Sequence, residues 1–130
     1  MDVQTRLASY YLQSPFGADG GAEKPTATVY AGPYLIEIPN TERRKYFIPY
    51  HDLHHIVTGY CNSRIGEGEI GAWELGTDCW QEPQAVLLNL AGMTTGLLYS
   101  PARIYRAFLR GCRCRNLYDV DVKQLLKMSI

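Results

Sequence analysis

Between Pro83 and Pro101 the chain runs seventeen residues without a charge: QAVLLNLAGMTTGLLYS. A stretch of that length and apolarity must be a helix with partners to pack on. At about 1.5 Å rise per residue it reaches roughly 26 Å. That falls short of the roughly 30 Å hydrocarbon core of a bilayer. Gln84, Asn89, Thr94 and Thr95 inside it also argue against a membrane span. The stretch is therefore expected as a buried central helix, Pro83 or Gln84 to Tyr99, that doubles as the wall of an apolar pocket. Gly92 and Gly96 are four apart, a spacing that lets another helix approach closely.

Breakers divide the rest of the chain around this helix. Val3–Leu12 reads as a short N-terminal helix, and residues 13–27 as a loop, with Pro15, Gly17, Gly20, Gly21 and Pro25. Residues 28–39 alternate apolar side chains around Gly32-Pro33 and suit a β-hairpin or extended arm. Asn40 or Thr41 is a cap signal. A helical period then sets in from about Pro49, with Tyr50, Leu53, Val57 and Tyr60, and Pro49 suits a first turn. That helix should stop near Gly59. Further helices are predicted over Gly66–Leu75, over Ala102–Gly111 behind the Ser100-Pro101 signal, and from Asp119 or Asp121 through Met128. The whole is a mainly α single domain, residues 1–130. It is a helical bundle with its core in 46–130 and a short β-hairpin or arm near the N-terminus. At 130 residues, 46% hydrophobic and 20% charged, the chain has enough apolar content for one core.

All three histidines lie within five positions, His51-Asp52-Leu53-His54-His55. On a helix, residues four apart stack on one face, so His51 and His55 can aim at one point. Asp52 sits about 100° around from His51, on the flank of that face. Glu67, twelve residues after His55, would fold back over the histidines in a helical hairpin. Two imidazoles with carboxylates suit a divalent ion. Zinc is the expected one, and iron or manganese are the other choices. His51, Asp52, His55 and Glu67 form the predicted ligand set, with Asp52 and Glu67 as candidates for any catalytic role. His54 is expected beside the site or exposed, and Glu69 solvated. His-Asp pairs also occur in phosphohydrolases, but those need further histidines and this chain has none outside 51–55.

The string HDLHHIVTGYCNSRIGEGEIGAWELG resembles the signature of the ubiquinone (coenzyme Q) biosynthesis family usually called the fourth Coq protein. That family carries His-Asp-x-x-His, eleven residues, then Glu, and the same spacing runs from His51 to Glu67 here. Gly59, the Gly66-Glu67 pair and the lead-in YFIPY are also similar, and the resemblance covers about residues 46–72. It implies that His51, Asp52, His55 and Glu67 are metal ligands. It further implies work at a quinone ring, of the C1 decarboxylation type, on a prenylated precursor. The implied partners are that precursor or another lipid, and other quinone biosynthesis proteins. The alternative is a non-catalytic lipid-binding scaffold whose metal is structural.

Charge is unevenly placed. Residues 1–98 carry six Lys/Arg and eleven Asp/Glu, a net −5, while residues 99–130 carry seven and two, a net +5. The zero total argues against a nucleic-acid partner. Arg103, Arg106, Arg110 and Arg113 recur at helical spacing as one basic stripe. It reads either as an ordinary solvated face or as a peripheral membrane contact. The start MDVQTRLASYYLQ shows neither a signal nor a transit pattern. The four cysteines show no zinc spacing, so a reducing, cytoplasmic location at the membrane surface is expected.

Overall fold

A computed structural model describes residues 2–13 and 24–128. The described residues form six helices and one hairpin: α1 (Val3–Gln13), β1 (Thr26–Ala31), β2 (Tyr34–Pro39), α2 (Glu42–Thr58), α3 (Arg64–Gly76), α4 (Pro83–Tyr99), α5 (Pro101–Gly111) and α6 (Val122–Leu126). Mainly helical, with a hairpin near the N-terminus, is what the sequence pattern predicts. Most of the predicted 13–27 loop, residues 14–23, lies outside the described residues. β1 and β2 pair antiparallel, with Ala31 opposite Tyr34 across the Gly32-Pro33 turn.

Helix α2 begins seven residues before the predicted first turn. Thr41 caps it, its side chain accepting from the Arg44 N–H at 3.1 Å. Pro49 therefore stands inside the helix, where its ring removes one backbone bond. The cap and the buried Phe47, Ile48, Tyr50 and Leu53 outweigh that cost. Gly59 ends the helix at φ +82°, a left-handed conformation that glycine adopts without strain. Val57, taken as part of the inward stripe, faces outward.

The central pair is α3 against α4. A Cβ added at Gly68 would stand 2.9 Å from the Gly92 oxygen and 2.9 Å from the Gly96 Cα. The two backbones are thus nearly in contact, and the Gly92/Gly96 spacing is used for close helix approach. The α4 helix is buried on one side only. Ala85, Val86, Asn89, Thr95 and Gly96 face inward, while Leu87 and Leu98 are 68% and 69% exposed. The expectation of a buried central helix holds for half its circumference. Around this pair, Val3, Leu7 and Tyr11 of α1 join Phe47, Tyr50 and Leu53 of α2, Tyr118 and Leu125 in one core. Ile104 and Ala107 of α5 pack separately on Ala72.

Candidate metal centre

The two histidine rings predicted to share a face do so. His51 Nε2 and His55 Nε2 are 3.2 Å apart. Glu67, in the first turn of α3, places Oε2 at 3.3 Å from His51 Nε2 and Oε1 at 3.2 Å from His55 Nε2. One ligand atom from each of His51, His55 and Glu67 falls within a 4.8 Å group. These separations fit a metal. Zn–N bonds of about 2.0–2.1 Å at a tetrahedral angle put two nitrogens about 3.3 Å apart. Without an ion, two bare imidazole lone pairs at 3.2 Å repel, so a proton or a cation has to lie between them.

Each ring is locked by its other nitrogen. His55 Nδ1–H donates to the Tyr60 carbonyl at 2.8 Å, which the left-handed turn at Gly59 swings back toward the helix. His51 Nδ1–H donates to Glu74 Oε2 at 3.1 Å. Both Nε2 atoms are thereby oriented toward the shared point, and such partners orient ligands in known metal sites. Glu67 is fixed from behind: Ser63 caps α3, accepting from the Gly66 N–H at 3.1 Å, and the helix N-terminus favours a carboxylate there. Burial raises the Glu67 pKa, but the charges and hydrogen bonds of His55 and His51 outweigh it and bring it down to about 2. For His51, burial opposes the charged form, yet Glu74 and Glu67 hold its pKa well above the usual histidine range.

Asp52 stands apart from the three. Its carboxylate accepts from the Tyr11 hydroxyl at 2.9 Å, across the α1–α2 contact, and is not in the ligand group. Helical geometry explains the departure, because position 52 lies a third of a turn from the His51/His55 face. Burial pushes the Asp52 pKa up, with His51, Tyr11 and His55 working against the rise.

His54 is neither exposed nor at the ligand point. It is fully buried, donates from Nδ1 to Glu74 Oε2 at 2.6 Å, and accepts at Nε2 from the Leu117 N–H at 2.9 Å. Glu69 is likewise not solvated: it is buried and paired with Arg103 at 2.6 Å. The residue missed by sequence reasoning is Glu74. Its signal was present, since it follows Glu67 by seven residues on one helix and so shares its face. Completely buried, it accepts from His51 and His54 at one oxygen and from Asn89 (2.8 Å) and Tyr118 (2.7 Å) at the other.

His51, Asp52 and Glu67 open onto a cavity of about 370 Å³. Its other walls are largely apolar, from Val29, Tyr30 and Leu35 of the hairpin, Phe47 and Ile48 of α2, and Leu88 of α4. Cys61, Cys79, Cys112 and Cys114 are free thiols, and none belongs to the ligand group. No family model, curated protein or solved structure matches this chain.

Two outcomes follow from this geometry. His55→Gln loses a bound divalent ion, whereas His54→Gln keeps it and is destabilised by about 1–3 kcal/mol, the cost of an imperfectly paired buried group. Elemental analysis beside urea unfolding checks both, and equal metal loss in the two variants would mean the ligand set is misassigned.

The second outcome concerns pH in the metal-free protein. The lowered pKa values of Glu67 and Glu74 add stability above about 4.5, lost as pH falls toward 2. The raised His51 value adds stability in full below about 6.5, lost as pH rises through its folded pKa. Asp52 works in the opposite sense, costing stability as pH rises past 3.8. Urea midpoints measured in chelator should therefore peak between about pH 4.5 and 6.5. A midpoint that climbs steadily into the alkaline range would contradict the His51 assignment.

Proposed function

We propose that this chain is a metal-binding protein of ubiquinone or related prenylquinone biosynthesis, acting at the ring of a prenylated precursor. The observation that carries the reading is the meeting of a three-residue ligand group with an apolar cavity. The His51-to-Glu67 spacing supports the assignment to quinone chemistry. His51, His55 and Glu67 would hold zinc, or iron or manganese, and a bound ion would supply Lewis-acid polarisation of a ligand oxygen. The side chains of His51 and Glu67 keep 23% and 26% exposure on the cavity side, and catalytic zinc sites leave one position open in this way.

The chain's own groups then have separable roles. Apolar walls hold the precursor and exclude water, while Glu74 and the Tyr60 carbonyl fix the two imidazoles. Asp52, hydrogen-bonded to Tyr11 and with burial pushing its pKa up, stands at the cavity wall as the candidate proton donor. When the bond to CO₂ breaks, the electron pair stays on the ring carbon, and Asp52 supplies the proton that replaces the carboxylate. The scaffold reading, a structural ion beside a lipid cavity, predicts a different response. Asp52→Asn should retain metal and fold yet abolish decarboxylation of a carboxylated prenylphenol. Metal analysis, melting curves and product mass spectrometry on one preparation decide it. Full turnover by the variant sinks the catalytic role of Asp52, and absence of turnover in the wild type as well favours the scaffold.

A peripheral membrane contact is proposed through the basic helix, in reduced form. Arg103 is engaged by Glu69, and Arg110 donates to the Thr58 carbonyl at 3.0 Å while lying over the Tyr60 ring. Arg106 on α5 and Arg113 just past its end remain exposed, as do Tyr105 and Leu109. No helix among the described residues is long and apolar enough to cross a membrane. Arg106→Gln with Arg113→Gln should reduce cosedimentation with anionic vesicles more than Arg103→Gln does. Binding unaffected by either change, or by salt, would leave the stripe an ordinary surface.

A further inference from the structure

Arg44 lies seven residues before His51 on α2, two turns along the same face, and lines the same cavity. Its guanidinium is held in place: Nη1 donates to Asn40 Oδ1 at 3.0 Å, and Asn40 in turn donates to the Lys24 carbonyl at 2.8 Å. The guanidinium is thus fixed by a neighbour at the wall of the cavity, and Arg44 is the one lysine or arginine among the described residues that line it.

We propose that Arg44 is a specificity residue of this cavity, its guanidinium binding the oxyanion group of an otherwise apolar ligand. The inference rests on the reading of the cavity as the substrate site. A planar guanidinium edge matches a carboxylate or a phosphate ester, and such charge-assisted bonds are about twice as strong as neutral ones. The cavity supplies the complement for the rest of the ligand, with Val29, Leu35, Phe47, Ile48 and Leu88 along its sides. Burial works against the charge on Arg44, while the carboxylates of Asp52 and Glu67 sustain it. Those carboxylates also oppose an arriving anion, and a divalent ion on the triad offsets them. Arg44 thus sorts ligands by charge at a point separate from the metal ligands.

The test is calorimetric titration of the zinc-loaded protein with decanol, decanoate and decyl phosphate. The alcohol reports the apolar cavity alone, and the two anions distinguish carboxylate from phosphate. Wild type should bind at least one anion about tenfold more tightly than decanol, the worth of roughly 1.4 kcal/mol. In Arg44→Gln that preference should fall to within threefold, with decanol affinity and zinc content unchanged. Arg44→Lys keeps the charge but not the fork, and should lose at least threefold of the preference. Full preference in either variant, or none in wild type, overturns the role of Arg44. Absence of decanol binding as well would overturn the substrate-cavity reading with it.

Discussion

A carboxylate without access to water is costly, several kcal/mol per ion even after the protein relaxes around it. Glu74 is such a group, and four donors from three other parts of the chain make its burial tolerable. His51 and His54 come from α2, Asn89 from α4, and Tyr118 from the segment before α6. Loss of any one leaves part of a buried charge uncompensated. The relative placement of α2, α3, α4 and the C-terminal segment is therefore tied to one side chain. Cooperation of this kind makes a local defect expensive everywhere, because the four donors cannot be repositioned independently.

The ligand point inherits its geometry from that hub. His51 spends Nδ1 on Glu74 and so has Nε2 left to face His55 and Glu67. Close approach of α3 to α4 matters for the same reason. With Gly68 nearly touching Gly92 and Gly96, α3 cannot drift away from α4 without opening a void, and Glu67 moves with α3. The structural and chemical roles of Glu74 are therefore not separable by deleting it. Variants of the groups around it, such as His54, probe the hub while leaving the triad in place.

Much of this was legible in the chain because it depends on helical spacing. His51 and His55 are four apart, Gly59 stops the helix, and Ser63 starts the next one with Glu67 in its first turn. What spacing does not contain is the choice among flanking directions. Asp52 and His54 are one and three residues from His51, both off its face, and tertiary partners decided where each went. Tyr11 drew Asp52 from forty-one residues away, and Leu117 drew His54 from sixty-three. Pro49 misled for a related reason: it forbids one hydrogen bond, and burial of its neighbours overrode that local cost. The outward apolar side of α4 was invisible because composition does not say how much of a helix's circumference finds a partner.

Asp52 shows how the same residues can serve two chemistries. Three ligands with an open position suit a catalytic ion, and four closed ones suit a structural ion. The carboxylate of Asp52 lines the cavity beside His51 and Glu67 but is held by Tyr11. Drawing it onto the ion as a fourth ligand would work against that buried hydrogen bond across the α1–α2 contact. A net hydrogen bond of this kind is worth about 0.5–1.5 kcal/mol. The balance at Asp52 is thus set by α1 as much as by the metal. Because α1 is tied to the rest by Tyr11, Val3 and Leu7, the N-terminal helix takes part in setting where the Asp52 carboxylate stands.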